Sequence, residues 1–402
     1  MIGPAIDAQS AGSVPRTLFM GSFPPRECGI ATFTKDIVDA YDSAFNTKSE
    51  IIAIDEPGGE HREYGPEVVA RLTEQDRASY SDIAAIINAH PAQMLNIQHE
   101  YGIFGGERGE YLVDLLKELQ KPVTLTLHTV LPEPEEKMLT VTRELAKYSA
   151  AVISLSETGK RLLETVYDIE PSKLHVIHHG VPDVPFRSTD TAKAHFGVGQ
   201  RMVISTFGLI NRGKGLEYAL NAMRTVVRYH PETLYLILGE THPTVRKQEG
   251  ESYRESLHAL IREYQLSNNV ALVDKYLDFD EVVSYLAATD IYLTPYLNPV
   301  QIVSGTLAYA VGCGKAIVST PYLYAEEVLA HNRGFLCKFR DADSIAENVL
   351  MLLDDPSLRR AIERRAYRFG RQMTWPNVAA AYGRLFAELA PQEGVLELVH
   401  SA

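Results

Sequence analysis

A chain of 402 residues, 45% of them hydrophobic, excludes global disorder and holds more apolar material than one core of ordinary size takes, so two α/β domains are expected. Lys and Arg number 39 against 52 Asp and Glu, and the formal charge of -13 excludes nucleic acid as the natural partner. Cys28, Cys313 and Cys337 are odd in number and widely spaced, which fits neither a disulfide framework nor a zinc site and predicts a reducing, cytoplasmic location.

The opening MIGPAIDAQSAGSVPR has neither the basic start nor the apolar core of a signal peptide and reads as a small-residue tail. No apolar run approaches the ~20 residues of a bilayer span. Short β-branched runs then alternate with helical patterns, as in parallel sheets covered by helices. The first half offers TLFMGSF, EIIAID, MLNIQHE, VTLTLHT, AAVISLS and LHVIHHG as strands, with helices over 33–43, 80–89 and 109–119. After a polar, proline-bearing stretch the alternation restarts with MVISTFG, TLYLILG, VALVD, IYLTPY, AIVST and GFLCKF. A long amphipathic helix from Trp375 to Leu389 carries Val378, Tyr382, Leu385 and Phe386 and could pack on either domain. The expected division is a tail over 1–14, a first Rossmann-like domain over 15–182, a linker over 183–198, a second Rossmann-like domain over 199–370, the helix over 371–390 and a tail over 391–402.

Doubly wound sheets place ligands at the carboxyl ends of their strands, so the strand ends are where chemistry is sought. In PPRECGIATFTKDI, Gly29 sits between strand and helix, where backbone can approach a bulky ligand; otherwise it makes a tight turn, Arg26 pairs with Glu27 and Thr32 caps the helix. His99 and Glu100 end MLNIQHE, and His128 ends VTLTLHT; two polar strand ends on neighbouring strands suit the orientation of sugar hydroxyls. No compact partner set accompanies the histidines, so metal ligation is not expected. His178 to Val181 read as a domain-edge turn.

FGLINRGKGLEYAL opens the second domain with Gly208, then Arg212, Gly213 and Lys214, two cations at a helix start where a diphosphate would lie. Asp278-x-Asp280 and Asp341-x-Asp343 resemble a metal-binding pair, but both lead into helices and are expected to be caps. In the stretch 294–322, Ser304, Gly305 and Thr306 begin a small-residue helix whose hydroxyls and N–H groups suit phosphate.

The order of these motifs resembles glycosyltransferase family 4, retaining enzymes of the GT-B fold, from about Thr17 to Leu389. The resemblance implies two Rossmann-like domains whose parallel sheets face across a cleft, and a hexosyltransferase that moves sugar from a nucleotide to a hydroxyl. It implies that Gly29 lies beside the donor diphosphate, that His128 contacts the transferred sugar and that Lys214 is the lysine of the diphosphate-binding turn. Gly208, Arg212, Gln301, Ser304, Gly305 and Thr306 complete the expected donor site, and Arg26, His99 and Glu100 join His128 on the sugar and acceptor side. Partners would be a nucleotide-sugar donor and a carbohydrate or glycolipid acceptor, with no cofactor and no metal.

Two departures stand out. Leu209 follows Gly208 where the family usually has arginine, and Arg212 is expected to substitute. The family's paired glutamates, one for the donor sugar and one for the ribose, correspond to Gln301 and Tyr309. Two rivals therefore stay open: a disaccharide phosphorylase using the same phosphate cradle, and a non-catalytic nucleotide or carbohydrate sensor.

Overall fold

A computed structural model describes residues 14–59 and 61–391. Two compact units emerge, the first made of residues up to His178 and from Pro376 onward, the second of His179–Trp375. The first is built on a sheet of seven strands: β1 (Thr17–Gly21), β2 (Glu50–Asp55), β3 (Val68–Thr73), β4 (Met94–His99), β5 (Val123–Leu127), β6 (Ala151–Ser154) and β7 (Leu174–Val176), in the order β3-β2-β1-β4-β5-β6-β7. The second holds six: β8 (Val203–Phe207), β9 (Leu234–Leu238), β10 (Val270–Val273), β11 (Ile291–Thr294), β12 (Ala316–Ser319) and β13 (Phe335–Leu336), in the order β10-β9-β8-β11-β12-β13. Among the described residues these strands pair in parallel. Each sheet runs outward in both directions from its first strand, so each has a switch point, at β1/β4 and at β8/β11, where the connections diverge and leave a crevice.

The central strands are buried on both faces because helices cover both, which is why they read as continuous apolar runs. β3 is the strand that the sequence did not reveal. It lies at the sheet edge, where half-buried and exposed positions alternate and only Leu72 is buried, and charged Arg71 breaks its apolar signal. The helix Leu216–Tyr229 buries Leu216, Ala219, Leu220, Met223 and Val226, a three-to-four spacing that packs one stripe against Ile204, Tyr235 and Ile291.

Helix starts follow caps more closely than apolar periodicity. The first helix runs Gly29–Phe45 because the Cys28 sulfur, and not Thr32, accepts from Ala31 N. The second runs Arg77–Ala89 behind the Asp76 cap, and the third Tyr111–Glu118. Asp278 caps Phe279–Ala288 in a reciprocal box with Glu281, and Asp341 caps Ala342–Asp354 through Ser344 N.

The stretch 183–198 contains a helix, Asp190–His195, whose Lys193 forms a buried ion pair of 2.5 Å with Asp290. The helix Trp375–Leu389 forms as expected, and past Trp375 it belongs to the first unit, where the Tyr382 hydroxyl meets Thr126 at 3.0 Å and Phe386 packs on Phe19 and Tyr41. The expected tails fall outside the described residues apart from Val14 and Pro391. Among the described residues no helix is long and apolar enough to cross a membrane.

Candidate active site

In the second unit the switch point gathers residues from three loops. β8 ends into Gly208, whose φ of +118° is open to glycine, and a Cβ there would lie 3.1 Å from Thr306 Cγ2 and 3.4 Å from Lys214 Nζ. The tight turn Arg212–Lys214 is tied to the loop after β11 by the bond from Leu297 N to Gly213 O at 2.9 Å. Lys214 Nζ thereby donates to the Tyr296 hydroxyl at 2.6 Å and lies 4.0 Å from the ring centre. The Tyr296 hydroxyl meets Thr306 Oγ1 at 2.8 Å, and Thr306 meets Ser304 Oγ at 3.1 Å. Ser304 also caps the helix Gly305–Gly312 by accepting from Leu307 N at 3.3 Å.

Lys214 has no ion-pair partner among the described residues, and burial pushes its amine down to about 7. A cation that loses water without gaining a carboxylate is under-compensated, and an anion arriving beside it supplies the missing charge. The helix start adds N–H groups with no partner inside the helix, so the cluster of Gly208, Lys214, Ser304, Gly305 and Thr306 suits a phosphate group.

Arg212 does not join this cluster. Its guanidinium is exposed, pairs with Glu249 at 3.1 Å and lies 5.1 Å over the Tyr253 ring, because the two cations of the turn diverge. Gln301 turns back on its own loop, donating to Val303 O at 3.0 Å. Tyr309 is 8% exposed and lies edge-on to His179 and Phe279, so no carboxylate stands at that place.

His179, read from sequence as part of a turn, stands against the helix start. A Cβ on Gly305 would come 2.8 Å from its Nε2, while its Nδ1 meets Gly180 O at 2.8 Å. Burial lowers His179 to about 4, so the ring is neutral at physiological pH.

In the first unit the helix Gly29–Phe45 starts beside open space, with nothing within 4 Å of a Cβ on Gly29. Its Phe33 meets the His128 ring edge-on at 4.8 Å. His128 is 6% exposed, and its Nε2 lies 2.9 Å from Gln98 Oε1. Glu100 accepts from Tyr101 N at 2.9 Å and from the Thr129 hydroxyl at 2.5 Å, and burial raises its carboxyl above the usual range.

Arg26 is held by Glu56 at 3.3 Å, by Glu74 at 3.9 Å and by Ile54 O at 3.2 Å. His99, expected on the sugar and acceptor side, is wholly buried between Tyr101 and Phe104, and neither ring nitrogen has a hydrogen-bond partner among the described residues. β4 and β5 point successive residues to opposite faces, and His99 falls on the face that the loop 101–109 seals.

Gln98 and Tyr296 are the site residues that sequence reasoning missed. Gln98 had a signal: Asn96 and Gln98 on β4, and Thr124 and Thr126 on β5, are polar at every second position of otherwise apolar strands. Tyr296 had none, since its role comes from a lysine 82 positions earlier. Among the described residues no group of three or more His, Cys, Asp or Glu could hold a metal ion.

Two parallel-sheet Rossmann-like units, each with a switch point, define the GT-B class of fold. Comparison with known families agrees. The model for glycosyl transferases group 1 matches residues 189–369 and that for glycosyltransferase family 4 matches residues 52–183. One after the other, the two matches place a family 4 domain in the first half of the chain and a glycosyl transferases group 1 domain in the second.

An uncharacterized glycosyltransferase of Methanocaldococcus jannaschii is 22% identical over 256 residues, 62% of this chain and 61% of that protein. A GDP-mannose-dependent mannosyltransferase of Corynebacterium glutamicum, acting on monoacylated phosphatidylinositol monomannoside, is 26% identical over 40% of each chain. The match thus spans less than two thirds of either relative. Among solved structures, Anabaena HepE in complex with UDP and glucose superposes with a TM-score of 0.74 at 15% identity, covering 93% of this chain and 100% of that one. Sucrose-phosphate synthase from Thermosynechococcus elongatus gives 0.74 at 16% identity, over 93% and 99%.

Proposed function

We propose that the enzyme moves a hexose from a nucleoside diphosphate sugar to a hydroxyl of a carbohydrate or glycolipid, with retention of anomeric configuration and without a metal ion. The observation that carries this reading is the Lys214–Tyr296–Thr306–Ser304 chain beside Gly208, an under-compensated cation joined to a helix start. Charge builds on the departing diphosphate during transfer, and preorganised donors that face it lower the barrier without reorganising. Lys214 and the N–H groups of 304–306 take that role, with Arg212 reaching the same anion once it leaves Glu249. His128 orients the donor sugar, and Glu100 with Arg26 serves the acceptor. Retention is taken over from the resemblance to family 4.

The test is transfer from UDP- and GDP-hexoses to a panel of glycosides and glycolipids in excess chelator, with the product anomer read by NMR. An axial-to-axial product formed at an undiminished rate is the expected result. A rate that collapses on chelation and returns with manganese overturns metal independence, and phosphate-dependent breakdown of a disaccharide without nucleotide overturns the transferase direction.

A further inference from the structure

Asn96 and Gln98 on β4 and Thr124 and Thr126 on β5 are fully buried, and parallel register sets Asn96 beside Thr124 and Gln98 beside Thr126. Polar groups so buried are expensive unless each finds a partner, and here they find one another. Asn96 Nδ2 donates to the Thr124 hydroxyl at 2.9 Å, and Gln98 Nε2 donates to Asn96 Oδ1 at 2.6 Å. The direction of this chain leaves the Gln98 carbonyl oxygen facing His128 Nε2 at 2.9 Å. A carbonyl oxygen only accepts, so Nε2 carries the proton.

The packing is made for this contact. β1 ends at Gly21, where a Cβ would lie 3.1 Å from Gln98 Cβ and 2.8 Å from Thr34 Oγ1, and Phe33 closes the other side of the imidazole.

We propose that Gln98 is a positioning residue for sugar transfer: it keeps the proton of His128 on Nε2 and fixes the orientation of the ring. The proposal rests on the role given to His128 above. A neutral amide fixes the tautomer while stabilising the imidazolium less than a carboxylate at the same place would. With the other tautomer, two lone pairs would face each other across 2.9 Å.

The experiment is nitrogen-15 NMR of the histidine side chains in the full chain, with the His128 signals assigned by their loss in His128→Gln, followed by the same spectra and kinetics for Gln98→Leu, Gln98→Met and Gln98→Glu. The native ring should be the Nε2-protonated tautomer. Gln98→Leu and Gln98→Met should lose that preference and lower kcat by about tenfold with donor KM little changed. Gln98→Glu should keep the tautomer but raise the acid limb of the kcat profile by about one pH unit or more. A native Nδ1-protonated ring, an unchanged tautomer in both apolar variants, or a changed tautomer with unchanged kcat overturns the proposal. Failure of the reading beneath it looks different: His128→Ala would then turn over normally while the native tautomer stays as described.

Discussion

Lys214 pays for its burial in proton affinity, and this makes donor binding a proton-linked event. Its amine is lowered to about 7 in the free enzyme, and a diphosphate beside it favours the charged form and raises it. Binding therefore takes up a proton above pH 7, and affinity falls as pH rises from the free value toward the bound one. Calorimetry of nucleoside-diphosphate binding at pH 8, in two buffers of different ionisation enthalpy, should show uptake in the parent and none in Lys214→Arg, because arginine stays charged. Lys214→Ala should weaken binding by roughly tenfold to hundredfold, as loss of a charge-assisted bond of about 1.5–3 kcal/mol implies. Arg212→Ala should cost less, since its pair with Glu249 is exposed and the side chain must leave it to reach the anion. Equal losses would place Arg212 in the cluster after all. His99 gives a stability prediction of its own. Burial holds its folded-state value at about 3 against an ordinary 6.5, so the unfolded chain binds more protons between those values. Its contribution is fully present above pH 6.5 and is lost as pH falls, by at most about 1.4 kcal/mol per pH unit. Urea unfolding from pH 7 to 4 should lose stability less steeply in His99→Phe than in the parent.

Helix ends separate structure from chemistry in the second unit. Asp278 closes a capping box, so Asp278→Ala should lower stability by about 1 kcal/mol and leave transfer in chelator unchanged relative to the parent. A mutant that instead loses a manganese-dependent activity would make Asp278 a ligand. Ser304 does two jobs, capping its helix and ending the hydroxyl chain from Lys214. Glycine replaces a capping serine at a cost of only a few tenths of a kcal/mol, so Ser304→Gly should keep a near-parental denaturation midpoint while diphosphate affinity falls. Loss of stability without loss of affinity would reduce Ser304 to a cap. The same caps explain why helix boundaries were only partly legible. Apolar periodicity begins at Phe33, but the Cys28 cap starts the helix at Gly29, and a cysteine gives little warning of that role.

The chain leaves its first unit at His178 and returns to it at Pro376, so the last helix is a structural part of a domain begun more than three hundred residues earlier. Phe386 is fully buried against Phe19 and Tyr41, and Phe386→Ala should cost about 3–5 kcal/mol in urea unfolding. A change under about 1 kcal/mol would mean that the helix is dispensable to that core. The sequence by itself determined two Rossmann-like units of the family 4 type and the glycine and basic turns at their strand ends. Strand periodicity and turn chemistry are local, and a parallel sheet buried on both faces advertises its centre as plain apolar runs. Only the tertiary structure decided that Lys214 and not Arg212 is joined to Thr306 and Ser304 through Tyr296, that His99 is sealed while His128 is gripped by Gln98, and where the last helix packs. Those outcomes turn on side-chain direction and on contacts between residues 82, 30 and 256 positions apart, which packing sets and no local pattern encodes.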